Sequence, residues 1–474
     1  MRRLGRISSP LIRIFSPRYM ISCDRMVEDD FDGREMYLTF AAIAWPALVE
    51  SFLLGVINFV DTLMVSSLGE VSIAAVGITS QPRLLFYSVI LAFSIGINSI
   101  VARRRGQGNR EGANRVLSQM LPLVLAAALL FFAIGWAASE PLLRFAGAEN
   151  DTIGEAISYF RITMLGMIFT SVSLSVNAAQ RGCGKTRISM VTNLSANAVN
   201  VVFNALLING LLFFPKLGVM GAAIATALGN FVSMVISIAS VRKKEGYLHL
   251  RFSSLFSFRF DSLRPVFSVA SGTLIEQVFM RIGFFTFSKI VAELGTMEFA
   301  THQICMTILN LVSTFGEGIS VATSSLVGQN LGKKRSDRAL VYGKIGQRVG
   351  WCFSAVVLIS FLILRRGIVS LFTDDPSIIR IGAIIVIVEA AVAFFQIQQC
   401  TFSGCLRGAG DTRFMALVSL ISIAILRPVL SYVLCYPLGL GVIGAWIGLL
   451  FDQTVRCLFS ATRFFGQKWC KIEL

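Results

Sequence analysis

The apolar residues of this chain are gathered into runs long enough to cross a bilayer, and few folds are open to a chain built that way. A spanning helix needs about 20 mostly apolar residues, because a rise of roughly 1.5 Å per residue must cover about 30 Å of hydrocarbon. Twelve such runs occur, over residues 38–67, 73–102, 116–138, 155–179, 188–212, 219–241, 265–293, 299–328, 341–364, 378–402, 414–436 and 440–464. Of the 474 residues, 55% are hydrophobic and only 15% charged, and mean hydropathy is +0.71. A soluble domain carries about 25% charge because its surface must be wetted. Charge this sparse excludes a soluble enzyme, a secreted disulfide scaffold and a disordered chain. The expected fold is an all-α polytopic membrane protein in a lipid bilayer.

The net charge of +16 is distributed for orientation, not for nucleic acid. Loops after the even-numbered runs hold 20 basic residues, including Arg103-Arg104-Arg105 and Lys333-Lys334-Arg335, against four in the loops after odd runs (Arg144, Lys216, Arg365 and Arg366). Basic loops stay on the cytoplasmic side, so both termini are expected there, in a multi-pass inner or plasma membrane protein. Residues 1–36 read as a cytoplasmic tail or as sequence ahead of a later initiator at Met20, Met26 or Met36. Nine scattered cysteines form no CxxC, so neither disulfides nor metal clusters are expected.

The chain also repeats itself. Arg181-Gly182-Cys183-Gly184-Lys185-Thr186-Arg187 returns as Arg407-Gly408-Ala409-Gly410-Asp411-Thr412-Arg413, an offset of 226 residues. The same offset pairs Glu50 with Glu276, Leu68-Gly69 with Leu294-Gly295, Val101 with Val327 and Gly106 with Gly332. Six spans per copy is an even number, so both copies enter from the same side as parallel repeats about an axis along the membrane normal. The expected organisation is a tail (1–36), a first lobe (37–241), an inter-lobe linker (242–264), a second lobe (265–465) and a C-terminal tail (466–474).

Several segments carry a family resemblance. They are Phe59-Val60-Asp61-Thr62, Ala74-Ala75-Val76-Gly77, the two RGxGxTR loops, Thr301-His302-Gln303-Ile304, Val327-Gly328-Gln329-Asn330-Leu331-Gly332 and Phe372-Thr373-Asp374-Asp375-Pro376. In this order, on twelve spans, the chain resembles the multidrug and toxic compound extrusion (MATE) family of the bacterial NorM or DinF type. The resemblance implies a cation-coupled exporter of organic, often cationic, compounds, with small drugs as partners and no cofactor. Its first-lobe cation site falls on Asp61, Asn200, Asn204, Ala222 (through its carbonyl) and Thr226, and its span-7 glutamate on Glu276. Where the family has a second carboxylate this chain has Asn204, and Gln396 stands where the sodium-coupled branch has an aspartate.

Residue chemistry supports the same positions. A carboxylate inside a span costs roughly 2.5–3.5 kcal/mol to insert, so Asp61 marks a functional candidate. Glu50 lies three helical turns from Asp61 on one face, about 16 Å away, and is either a cavity residue or an ion-pair partner of a base such as Arg83. Gln303, Glu389 and Gln396 are further cavity candidates, with Glu389 alternatively a partner of Arg427 or Arg281. Arg281, Lys289, Glu293 and Glu317 read as interhelical pairs or span ends.

The leading function is a secondary antiporter that exports organic cations against H+, favoured, or Na+, with sodium held at Asp61 if anywhere. No Walker motif is present, so ATP and enzymatic chemistry are not expected, nor is nucleic acid, and the chain is read as a monomer. The alternative is a lipid-linked oligosaccharide flippase of the same architecture, which would place arginines in the central cavity to hold pyrophosphate.

The topology is directly testable. Cysteines placed at 437–441 should react with a membrane-impermeant thiol reagent in intact cells, and cysteines at 333–337 only after permeabilisation.

Overall fold

A computed structural model describes residues 33–66, 68, 70–210, 214–242, 246–250 and 260–472. No strand occurs among them. Twelve long helices do: α1 Gly33–Ser66, α2 Glu70–Gly106, α3 Arg110–Ala137, α4 Ile153–Gly182, α5 Thr186–Asn209, α6 Gly218–Arg242, α7 Phe260–Ala292, α8 Thr296–Gly332, α9 Ser336–Ser370, α10 Pro376–Ala409, α11 Thr412–Cys435 and α12 Gly441–Phe465. Eleven are long and apolar enough to cross a membrane. The twelfth, α7, is diluted by Glu276, Gln277 and Arg281 at its middle. It starts at Phe260, inside the segment expected to be linker; of that linker only 246–250 is otherwise described.

Local chemistry sets the helix ends. At the start of α10, Asp375 accepts from the backbone N–H of Ser377 at 2.8 Å, and Pro376 occupies the first helical position, where its missing N–H costs nothing. Each RGxGxTR segment is a helix stop. Gly184 and Gly410 adopt φ of +80° and +86°, the left-handed cap that a side chain would strain. Residues 466–472 do not simply trail away: Trp469 is buried against Phe464, and the Ile472 carbonyl accepts from Arg103 on α2 at 2.6 Å.

The two copies are related as the 226-residue offset requires. Thr186 donates to the Ile43 carbonyl and Thr412 to the Val269 carbonyl, both at 2.9 Å and both between repeat mates. Between the lobes, α1 lies against α8, and its mate α7 lies against α2. The first turns of these helices are exchanged. Met36, Phe40, Ile43 and Ala44 of α1 are buried with second-lobe residues, whereas Leu263, Val266 and Val269 of α7 are buried with the first lobe.

The lobes meet tightly at the end that carries the basic loops. Asn98 donates to its own repeat mate Ser324 at 3.3 Å, which places both on the pseudo-two-fold axis. Ser99 donates to the Gly408 carbonyl at 3.3 Å, and its mate Ser325 reciprocates to the Gly182 carbonyl at 3.5 Å. Reciprocity of this kind is the signature of a two-fold interface. A Cβ on Gly332 would stand 2.1 Å from the Arg103 carbonyl oxygen, so only glycine allows α2 and α8 to cross there.

The second lobe also contains a fully buried ion pair. Arg427 donates through Nε to Asp452 at 3.0 Å and stacks over Phe284 at 4.6 Å. It follows a π-helical stretch, Leu420–Leu426, that widens α11 where Gly283 of α7 presses on the Ile423 carbonyl. Losing one partner strands a buried charge, which costs about 3–5 kcal/mol. Arg427→Met should therefore lower the thermal unfolding midpoint in detergent markedly. Arg427→Met combined with Asp452→Leu should recover most of the loss.

Candidate functional site

Four residues from two neighbouring helices form a polar chain within the first lobe. Asn204 donates to the Asn200 amide oxygen at 3.3 Å, Asn200 donates to Thr226 Oγ1 at 3.1 Å, and Thr226 donates to the Ala222 carbonyl at 3.0 Å. Asn200 and Asn204 are one turn apart on α5, and Ala222 and Thr226 one turn apart on α6, so each pair shares a helix face. The helices approach closely because Gly229 lies where a Cβ would meet the Ala196 carbonyl at 2.6 Å. Asn200 and Thr226 open onto a cavity of about 320 Å³, also lined by Arg83, Tyr87, Asn197 and Asn230. That volume falls in the small-molecule range. Asp61 lies on α1, which packs against α5; its side chain falls outside the described residues.

Glu50 and Glu276 occupy equivalent places in the two lobes, and the RGxGxTR arginines hold both. Arg181 reaches Glu50 at 3.4 Å, and Arg407 reaches Glu276 at 2.8 Å. Glu50 also accepts from Ser189 at 3.0 Å and from Asn193. Its partner is thus Arg181, whereas Arg83, the base the sequence offered as an example, lines the cavity from α2. Both glutamates are buried, and each keeps a second oxygen without a partner among the described residues.

The second lobe departs further from expectation. Glu389 is fully buried on α10 with neither oxygen hydrogen-bonded among the described residues, and Arg427 is held by Asp452 instead. Gln396 donates to Ser313 on α8 at 2.6 Å. Gln303 is exposed on α8, as is Glu317, which forms no ion pair among the described residues and lies mid-helix rather than at a span end. Lys289 and Glu293 do pair, at 3.9 Å.

Comparison with known proteins bears on this arrangement. The MatE family model matches twice, over residues 46–206 and again over 273–433. The chain belongs to the MatE family. Among MatE relatives, it is 28% identical to the "probable multidrug resistance protein NorM" of Thermotoga maritima, over 90% of this chain and 92% of that protein. It is 27% identical to "multidrug resistance protein PmpM" of Pseudomonas aeruginosa, over 91% of this chain and 92% of that protein. The solved structure of a multidrug resistance MATE transporter in an outward-facing conformation superposes with a TM-score of 0.85 at 21% identity, covering 93% of this chain and 100% of that one. This MatE protein is a multi-pass membrane transporter and not an enzyme.

Sequence reasoning missed two partners that the repeat itself encodes in this MatE chain. Glu50 and Glu276 share one offset, as do Arg181 and Arg407, so a pair in one lobe requires its mate in the other. Asp452 gave no such signal, because its position 226 residues earlier is Thr226.

Proposed function

We propose that this MatE transporter is a multidrug efflux antiporter that exports organic cations and takes up protons in exchange. The observation carrying this reading is the polar chain from Asn204 to the Ala222 carbonyl beside a drug-sized cavity, on helices packed near that of Asp61. Relatives named for multidrug resistance across nine-tenths of the chain support the export role. The basic loops lie on the cytoplasmic side in this reading, so the tight crossing of α2 and α8 closes the pathway from the cytoplasm.

The choice of proton over sodium follows from charge. Sodium wants several oxygen ligands, and neutral amide and hydroxyl oxygens can complete a shell around one carboxylate. The first-lobe site offers that single carboxylate, Asp61, and the second lobe has Gln396 where an acid would strengthen a metal site. One buried carboxylate is sufficient to carry a proton, because burial favours its neutral form.

Asp61→Asn should reduce gradient-driven efflux to background while the protein still reaches the membrane. The amide keeps the shape but neither binds a proton reversibly nor supplies charge. Glu276→Gln should impair efflux as well, since it breaks the link to Arg407. In proteoliposomes, a pH gradient without sodium should drive efflux; drive by a sodium gradient alone would reassign the ion. Gln396→Asp should raise any dependence on sodium.

A further inference from the structure

One face of α8 is polar along most of its length. Gln303, Thr307, Asn310, Thr314 and Glu317 follow one another at steps of four and three residues, so they form a single stripe. Ser324, seven residues beyond Glu317, lies on the same face and bonds Asn98 of the other lobe at 3.3 Å. The stripe therefore looks across the pseudo-two-fold axis. Immediately past Glu317 the lobes close: a Cβ on Gly318 would lie 2.9 Å from the Leu48 Cα, and one on Gly328 would lie 2.9 Å from the Ala102 Cβ. On its other side α1 still touches α8, with the Phe52 and Phe315 ring centroids 5.6 Å apart and a Cβ on Gly55 3.3 Å from Leu311 Cδ1, while Gln303, Thr307, Asn310 and Glu317 stay exposed. Glu317 stands at the blind end of the cleft between the lobes.

The stripe is rich in hydrogen-bond acceptors. Thr307 and Thr314 donate their hydroxyl hydrogens to carbonyls of their own helix, at 2.9 and 2.7 Å, leaving their lone pairs available to a ligand. Glu317 has no hydrogen bond or ion pair among the described residues. The nearby cation Arg407 is already bonded to Glu276. Tyr87 of α2, which lines the first-lobe cavity, lies near Glu317. The carboxylate is not part of the repeat: the mate of Glu317 is Leu91, and the α2 positions matching the stripe are Gly77, Gln81, Leu84 and Ser88. An unpaired carboxylate at membrane depth is costly and marks a functional position.

We propose that Glu317 is the residue that reads the charge of the cargo. A protonated amine or quaternary ammonium docks against its carboxylate at the floor of the cleft, with the Tyr87 ring available for a cation–π contact. Polar substituents of the cargo lie along Asn310 and Thr307. The favoured substrate is thus an amphipathic monocation. This assignment rests on the efflux reading above, and it is separable from the coupling chemistry at Asp61.

The test compares ethidium, a permanent cation, with chloramphenicol, a neutral drug, on the purified protein and in proteoliposomes. Glu317→Gln removes the charge that faces the cation, so ethidium binding should weaken about tenfold or more. Chloramphenicol affinity should change by less than about twofold, a level that separates charge reading from general damage. Glu317→Asp should fall between Glu317→Gln and the native protein for ethidium, and its unfolding midpoint should match the native one. Unchanged ethidium affinity in Glu317→Gln, alongside native efflux of ethidium, would overturn the assignment and leave the efflux reading standing. Equal weakening for both probes would also overturn it. Failure of the native protein to bind or move either probe would overturn the efflux reading and this assignment with it.

Discussion

The crossing of α2 and α8 at the basic-loop end is the constraint on which the rest of the structure depends. Two glycines, Gly106 and Gly332, let the helices touch backbone to backbone, and Ser99 and Ser325 each donate to the opposite lobe's RGxGxTR turn. That turn also supplies Arg181 or Arg407 to the glutamate of its own lobe and Thr186 or Thr412 to the carbonyl of α1 or α7. One seven-residue segment thereby ends a helix, neutralises a buried carboxylate and contacts the other lobe. A change at Glu50 or Glu276 has a short path to the interface: the carboxylate holds the arginine by an ion pair, and the carbonyl of the adjacent glycine accepts from the serine. Such a connection suits a transporter whose lobes must part at one end while they close at the other.

The exchange of the first turns of α1 and α7 adds to this coupling. Phe40 is buried in the second lobe and Val266 in the first, so each lobe carries the entrance of its partner's leading helix. The lobes consequently share apolar surface that a simple pair of six-helix bundles would not. Pro46 sits just beyond the exchanged turn of α1 and removes one hydrogen bond there, which marks a place for the helix to bend.

Symmetry of the scaffold contrasts with asymmetry of the chemistry. The first lobe carries amides and hydroxyls around a cavity, with Arg83 at its wall. The second has filled the equivalent space: Phe287, the repeat mate of Asp61, packs against His302, and Arg427 is consumed by Asp452. Polar function in the second lobe appears instead on the cleft face of α8. The two copies have kept the hinge chemistry in common and divided the ligand chemistry between them.

Much of this was legible in the chain alone. Hydrocarbon forces every span to satisfy its backbone internally, so long apolar runs could only be helices, and their number followed from their length. The offset of 226 residues determined the two-fold relation, and the spacing of Asn200 with Asn204 and of Ala222 with Thr226 placed them on matching helix faces before any coordinates. What the sequence could not decide was which helix each face meets. Arg181 rather than Arg83 holds Glu50, Asp452 rather than Glu389 holds Arg427, and Glu317 is unpaired rather than bridged. Ion-pair partners inside a membrane are chosen by the rotation and crossing of helices far apart in the chain, and those are set by where glycines permit close approach. Periodicity fixes a face relative to its own helix axis, but only packing fixes that axis relative to its neighbours.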